Sequence, residues 1–345
     1  MVERRKIQRT GSSSYIVTLP KEWIDSIGIK PGDYVLIYEH GNKLIITPTY
    51  TEAQQLVGEI RVTSHDVGID EIFRVVVAQY LAGYNTITLV FKEDIPGLAR
   101  KISELKNLAR VKLAGIEVVD ETYNTLVLKI LLNLEELPLM RAIRRLHLIV
   151  NNMLNDAIKA FRTGNRGLAE AVIQRDDEAD RFHFMITRQL ALALLDIRIM
   201  HNLGIASPVE TINYRILARN LERIADHAVN IARRALQRPE ECRYCGEIAD
   251  FGDKAIELFN KSMDSVYRLS RRTAEETILE AADLVNKLQD LLSTKILRDQ
   301  EITDLEKTTL SMIYDSLRRI IRYSSGIAEA TLNIKVARNN IVEIK

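Results

Sequence analysis

Residues 221–233 read LERIADHAVNIAR, and this stretch decides the fold of the larger part of the chain. Its apolar residues recur with the period of a helix that buries one face. Glu222, Asp226 and Asn230 recur every four residues, so two carboxylates and a carboxamide share one edge of that helix. An acidic edge beside the buried stripe is where helix bundles place metal ligands. The predicted buried positions are Leu221, Ile224, Ala225, Ala228, Val229, Ile231 and Ala232.

The composition limits the class of protein. The chain has 345 residues, of which 46% are hydrophobic and 6% aromatic, which is enough for roughly two to three domains. Its net charge of +1 gives no global preference for nucleic acid, membranes or acidic substrates. No signal-like segment opens the sequence, and no apolar run approaches the roughly 20 residues that cross a bilayer. We therefore expect a soluble cytoplasmic protein without membrane insertion.

The helical period extends over residues 135–340, which predicts six helices in two three-helix units, 135–238 and 247–340. Aligning residues 220–233 with 316–329 keeps the apolar stripe and changes the polar edge. Glu222 becomes Arg318, Asp226 becomes Arg322 and Asn230 becomes Gly326, so only the first unit keeps the acidic edge. The predicted loops lie near 163–167, 197–208, 237–247, 271–274 and 298–301.

The first third of the chain mixes strand and helix periods. Residues 1–48 predict a β module with strands at 15–19, 33–38 and 43–47, a helix at about 20–27 and a hairpin turn at Gly41-Asn42. Residues 51–134 predict strands at 59–64, 86–91, 115–121 and 125–131 and helices at 69–82 and 96–110. This is a small α/β sandwich with a structural or ligand-sensing role. The fold class is therefore multi-domain and mainly α, with a β module, an α/β sandwich and two tandem three-helix bundles.

Acidic residues also cluster in the helix before residues 221–233, and both sets are candidate metal ligands. A loop of about a dozen residues packs the two helices antiparallel, which can bring their acidic faces together. Carboxylates suit hard or borderline cations such as magnesium, manganese or iron, and histidines can add nitrogen ligands. The alternative is a solvated face paired with Arg175, Arg181 and Arg223. The candidate ligands are Asp176, Asp177, Asp180, His183, Glu222, Asp226, His227 and Asn230.

Cations cluster at two other places. Arg318 and Arg322 lie one turn apart, where their like charges repel each other. They therefore form salt bridges within the bundle or hold an anion such as phosphate, unless both are simply solvated. The N-terminal cluster, opposed only by Glu3 in the first ten residues, can contact DNA phosphates or base edges, or it is a solvated terminus. That cluster consists of Arg4, Arg5, Lys6 and Arg9.

Two cysteines and several absent motifs limit the chemistry. Cys242 and Cys245 form a single C-x-x-C, which is half of a four-thiolate zinc site, a redox disulfide or an inert pair. The sequence contains no Ser or Cys nucleophile motif, no H-E-x-x-H and no P-loop. A di-iron oxidase needs Glu-x-x-His on two helices, and only Asp180-x-x-His183 approaches it. We therefore expect a protein that is not an enzyme.

Segment 135–340 resembles the PhoU family of phosphate-uptake regulators, whose tandem three-helix bundles carry acidic E-x-x-x-D edges. The resemblance implies a metal cluster, often iron or zinc, in the first repeat, and the carboxylates themselves also suit magnesium or manganese. Arg318 and Arg322 replace the acids in the second repeat, which puts a second metal cluster in doubt. The matching residues are Glu222 and Asp226, extended by His227 and Asn230, with Asp177 and Asp180 matching the D-x-x-D of the second helix.

Segment 1–48 resembles the AbrB/SpoVT swapped-hairpin DNA-binding domain. The pattern consists of Gly11, the run VTLPKEW at 17–23, Gly28-Ile29 and Gly32-Asp33. In that family two chains exchange hairpins to build the domain, so the resemblance implies a homodimer with its basic face on DNA.

The two resemblances together imply a regulator of phosphate uptake or phosphate signalling. It would bind DNA through residues 1–48, called the head below, and metal through its first repeat. The helical part would sense phosphate status, or dock on the nucleotide-binding subunit of a phosphate ABC transporter or on a sensor kinase. The alternative is an adaptor that inhibits the transporter or kinase and does not bind DNA. A metal-dependent, di-iron-like enzyme is a third reading, disfavoured by the missing second ligand set.

Overall fold

The computed structural model of the chain describes residues 3–40, 42–49, 56–132, 137–239 and 241–338. The chain divides into two compact units, residues 1–55 and 56–345. The α/β part and the helices thus share one unit, although the sequence predicts them as separate domains. Gly41 of the predicted hairpin turn and the predicted domain limits at 51, 134, 135 and 340 lie outside the described residues.

The first unit is a small β module with one helix. Its elements are β1 (Gln8–Thr10), β2 (Ser14–Ile16), α1 (Lys21–Ile27), β3 (Val35–His40) and β4 (Lys43–Pro48). The strands form two antiparallel hairpins, β1 with β2 and β3 with β4. The strand predicted at 15–19 is shorter because its partner β1 is only three residues long. None of the described residues in this unit is buried.

The second unit begins with a four-stranded sheet and two helices, which confirms the predicted α/β sandwich. Its elements are β5 (Val57–Val62), α2 (Ile69–Leu81), β6 (Thr86–Phe91), α3 (Leu98–Lys112), β7 (Ile116–Glu121) and β8 (Thr125–Ile130). The strand order is β5-β6-β8-β7, with β5 parallel to β6 and the other neighbours antiparallel. Alternate residues of β6 and β8 are buried, which is the period-two pattern that predicts them.

Helices make up most of the remainder of the described chain. In chain order they are α4 (Leu139–Thr163), α5 (Arg166–Leu195), α6 (Ile197–Asn202), α7 (Pro208–Ala235), α8 (Cys245–Arg268), α9 (Arg271–Asp290) and α10 (Asp304–Arg338). A π-helical turn at 291–296 continues α9. The short helix α6 lies inside the predicted loop 197–208, so that prediction is wrong there. The Asp196 carboxylate accepts a hydrogen bond from the Arg198 amide and so caps α6, which is too short to show a helical period.

The long helices form two three-helix units that share one hydrophobic core. Helices α4, α5 and α7 pack together, as do α8, α9 and α10, and the contacts of α4 with α8 and of α7 with α10 join the two units. The aligned pairs Leu221 with Leu317 and Ile224 with Ile320 are all buried, as the repeat predicts. Helices α2 and α3 pack on α5. Within the described residues, no helix is both long and apolar enough to cross a membrane.

Candidate functional site

Four carboxylates come together where α5 and α7 pack side by side. Asp176 and Asp180 belong to α5, and Glu222 and Asp226 to α7. Burial, followed by the charges of Asp180 and Asp226, raises the pKa of Asp176 to about 6. Burial, followed by the charge of Asp226, raises the pKa of Glu222 to about 7, and burial also raises the pKa of Asp226. Like charges crowded in this way favour a cation beside them.

The cations beside these four carboxylates are side chains of the protein. The Lys112 ammonium, at the end of α3, lies 2.9 Å from Asp180 Oδ2 and 3.1 Å from Asp177 Oδ1. Burial lowers the pKa of Lys112, but hydrogen bonds and charge from Asp180 and Asp177 outweigh it, so the pKa is raised. On α7, Arg219 Nη1 lies 3.0 Å from Glu222 Oε1. The acidic edge is therefore neutralised in part by a lysine from the α/β layer.

The four carboxylates are of a type that binds metal ions, but their present positions do not form a complete metal site. Carboxylates from two helices suit a hard divalent cation. Glu222 Oε2 is shielded from solvent and has no hydrogen-bond partner among the described residues, although Arg223 Nε lies 3.9 Å away. Yet no three His, Cys, Asp or Glu side chains among the described residues are placed to hold an ion. A metal here would need Lys112 to leave Asp177 and Asp180 and the carboxylates to move closer together.

The two candidate histidines are engaged elsewhere. His183 is only 2% exposed, its Nδ1 contacts the Ala218 carbonyl at 3.1 Å, and its Nε2 lies 3.5 Å from Arg215 Nη1. Burial, followed by the charge of Arg215, lowers the pKa of His183 to about 4. His227 stacks on Tyr323 of α10. With Asn230 it lines a groove between α7 and α10 whose lining includes none of the α5 carboxylates.

The acidic edge lies inside a stretch that matches a known family. Residues 143–235 match the model of the PhoU domain, and residues 8–53 match that of the antidote-toxin recognition MazE, bacterial antitoxin. The chain therefore contains a PhoU domain, preceded along the sequence by a MazE/AbrB-like domain. All four clustered carboxylates fall within the PhoU match. These two matches confirm the resemblances to the two families, and the PhoU match covers the first repeat.

Known PhoU proteins resemble parts of this chain. The phosphate-specific transport system accessory protein PhoU homolog of Caulobacter vibrioides is 33% identical over 95 residues, or 27% of this chain. The chain spans 38% of that relative's length. The crystal structure of PhoU from Pseudomonas aeruginosa matches with a TM-score of 0.50 at 20% identity, covering 58% of this chain and 96% of that one. This likeness shows a shared fold, mainly helical, with PhoU-like bundles.

The arginines of the second repeat differ from each other in their surroundings. Arg318 Nη2 lies 2.7 Å from Asp315 Oδ1, and Arg319 Nε lies 2.9 Å from Asp315 Oδ2. Arg322 is exposed. Arg318 therefore forms a salt bridge within its own helix, which is one of the predicted alternatives. The polar edge of α10 is basic, whereas the aligned edge of α7 in the first repeat is acidic.

The cysteine pair lies between the PhoU match and the second repeat. Cys242 and Cys245 are joined in a disulfide, which is one of the three alternatives that the sequence leaves open. Cys245 is the first residue of α8 and is buried. The disulfide therefore closes the loop directly before α8.

The basic cluster of the head is exposed. Arg4, Arg5, Lys6 and Arg9 all lie at the surface. Arg5 pairs with Glu3, and Arg9 donates to the Ser12 carbonyl at 2.6 Å, across the β1–β2 turn. That turn contains Gly11 at a φ of 68°, which glycine adopts without strain. The segment before β1 and the first hairpin thus present these cations to solvent.

Sequence reasoning missed Lys112, which is 68 residues from Asp180 in the chain. Its only local signal is its place in the last turn of α3, where a cation favours the helix dipole. Nothing in the sequence indicates that α3 ends against α5. The contact between the α/β layer and the acidic edge is therefore known only from the folded structure.

Proposed function

We propose that the chain regulates phosphate uptake or phosphate signalling, and that it does so as a cytoplasmic homodimer that contacts DNA through its head. The observation that carries this proposal is the pairing, in one chain, of a PhoU domain with a MazE/AbrB-like head. A head with an exposed basic N-terminal segment supplies the phosphate contacts that position a protein on DNA. The helical unit would carry the response to phosphate status.

Apolar exposure in the head supports the homodimer. Ile7 is 72% exposed, Tyr15 71%, Tyr34 83% and Leu44 65%. Two-stranded hairpins without a buried face are marginally stable in water, so these apolar side chains need a partner that covers them. A second copy that exchanges hairpins with the first would cover these side chains.

We expect the full-length protein to have twice the 39.4 kDa mass of one chain in light scattering. Leu44→Asp should shift it toward the single-chain mass, because a charge replaces an apolar contact in the dimer. Leu279→Asp, at a position 71% exposed on α9, is the matched control and should leave the mass unchanged. A wild type with the mass of one chain would contradict the homodimer.

Charge reversal at Arg4 and Arg5 should weaken DNA binding on every sequence. The slope of log affinity against log salt is negative, and each lost phosphate contact makes it less steep by about 0.9. R4E/R5E should therefore flatten the slope by about 2. The measurement is binding to duplex DNA across a salt series. Reversal of two exposed cations outside the head, Lys159→Glu with Arg110→Glu, makes the same change in net charge. Equal losses in the two variants would mean that the head does not position the protein on DNA.

The acidic edge is our proposed metal site, held by Asp176, Asp180, Glu222 and Asp226. The ion would supply positive charge that links α5 to α7. Because Lys112 competes for Asp177 and Asp180, Lys112→Met should raise the metal content of the purified protein, and E222Q/D226N should lower it. Elemental analysis for iron, zinc, manganese and magnesium measures both effects. D250N/D253N, an acidic pair that contacts Arg162, is the control, and equal metal in all variants would rule the site out.

A second function, that of a transporter adaptor, is favoured by the name of the Caulobacter relative, an accessory protein of a phosphate-specific transport system. In that case the head would serve dimerisation alone. Salt-insensitive DNA binding, together with co-purification of a phosphate transporter's nucleotide-binding subunit, would favour the adaptor over the DNA-binding regulator.

A further inference from the structure

A groove of about 570 Å³ separates α7 of the first repeat from α10 of the second. His227, Asn230 and Arg234 line its α7 wall, and Lys307 and Ser311 lie on its α10 wall. The volume falls within the range of about 300–1,000 Å³ that is usual for small-molecule sites. The groove is distinct from the acidic edge, because its lining includes none of the four clustered carboxylates.

The two cations of the groove lining are not paired with the acid of that lining. Arg234 Nη1 donates to the neutral Gln237 Oε1 at 2.8 Å. The Lys307 charge helps to lower the pKa of Asp299, which lies outside the lining and forms an ion pair with Arg243. Asp315 is the one acid in the lining, and Arg318 and Arg319 both pair with it. Two cations on opposite walls, with the acid already neutralised, favour an anion between them.

His227 adds a polar atom that lacks a partner. Its Nδ1 is shielded from solvent and makes no hydrogen bond to any described part of the chain, whereas shielded polar atoms in folded proteins are nearly always paired. The Thr308 and Ser311 hydroxyls donate to carbonyls of their own helix, at 2.8 Å and 2.7 Å. They therefore offer acceptor oxygens to the polar body of a ligand, while Arg234 and Lys307 supply donors to its charge.

We propose that this groove binds a phosphorylated small molecule, with phosphate oxygens between Arg234 and Lys307 and its polar body against His227 and Asn230. A group with two or more negative charges can contact the cations on both walls at once. The groove is also larger than inorganic phosphate requires, which leaves room for the rest of a phosphorylated molecule. Because α7 and α10 belong to different repeats, such a ligand would hold the two repeats together. The site goes beyond the proposed function and stands whether or not the head binds DNA.

The test is calorimetric titration of the full-length, metal-free protein with pyrophosphate, beside inorganic phosphate and sulfate at equal ionic strength. Arg234→Met and Lys307→Met should each weaken pyrophosphate binding at least about tenfold, because each removes a charged donor. Lys159→Met, an exposed cation on α4, and R4E/R5E in the head are matched controls that should bind as the wild type does.

Each other outcome overturns the proposal. No heat of binding at millimolar pyrophosphate excludes a phosphoanion site, and an equal loss in Lys159→Met or R4E/R5E assigns the binding to general charge. Sulfate binding as tight as pyrophosphate shows only a nonspecific anion site. Arg234 and Lys307 are half-buried, and melting curves that match the wild type would show that their variants are folded.

Discussion

Arg188→Met should lower the free energy of unfolding of the second unit by about 2–4 kcal/mol, because two buried carbonyls lose their charged donor and only that of Tyr80 keeps a hydrogen bond, from the Gly83 amide. Arg188 is 2% exposed on α5. Its Nη1 donates to the Tyr80 carbonyl at 2.6 Å and its Nη2 to the Gly83 carbonyl at 3.2 Å. Its guanidinium also lies 5.0 Å from the centre of the Tyr80 ring. One side chain thus joins the helical bundle to the end of α2.

The charge of Arg188 is balanced by helix carbonyls. Tyr80 and Gly83 lie at the C-terminus of α2, where the helix dipole is negative. Burial lowers the pKa of Arg188, and burial raises the pKa of the Tyr80 hydroxyl to about 12. The guanidinium fork reaches both carbonyls, which a lysine ammonium cannot do in the same geometry. Arg188→Lys should therefore fall between the wild type and Arg188→Met.

Urea unfolding of the full chain, followed by helix content, measures the effect, and amide exchange in α2 shows where it acts. The matched control is Arg181→Met, because Arg181 Nε also donates from α5 to a carbonyl of the α/β layer, that of Val111, at 2.8 Å. That bond is exposed to solvent, so its loss should change stability by less than about 1 kcal/mol. Equal effects at the two arginines would show that Arg188 does not hold the two layers together.

The contrast between Arg188 and α7 shows what the sequence can predict. The buried stripe of α7 repeats at short intervals, so Leu221, Ile224 and Ala228 are correctly predicted as core residues from local pattern alone. Arg188 contacts residues 105 and 108 positions away, and no local pattern encodes such a pairing. From the sequence alone, a charged residue such as Arg188 is expected at the surface. Its burial follows from the packing of the α/β layer on α5.

The candidate site was predictable in part for a similar reason. Residues four apart share a helix face, which is why Glu222 and Asp226 do lie together. His227 follows Asp226 directly, and successive helix residues differ by about 100° in direction, so its ring turns toward Tyr323 of α10. His183 follows Asp180 by three residues on the side of α5 that packs on α7, so it is buried. Helical spacing thus predicted the acids and misplaced the histidines.

Arg338→Met should destabilise the second unit by about 3 kcal/mol, because it leaves a buried carboxylate without its cation. The Glu210 side chain is fully buried near the start of α7. Arg338, at the end of α10, pairs with it through Nη2 at 2.8 Å and Nε at 3.1 Å. The same guanidinium donates to the Gly204 carbonyl at 3.1 Å and contacts the Tyr214 hydroxyl at 3.2 Å. The pair therefore ties the end of the second repeat to the first.

A double-mutant cycle separates the ion pair from packing. Arg338 is 30% exposed, so Glu210→Gln leaves a cation that water can reach and should cost less than Arg338→Met. E210Q/R338M removes both charges, so the double variant should recover stability relative to Arg338→Met alone, by about 1 kcal/mol or more. Urea unfolding of the four proteins gives the coupling energy. Additive effects would mean that the two charges do not stabilise each other and that Arg338 contributes through Gly204 and Tyr214 instead.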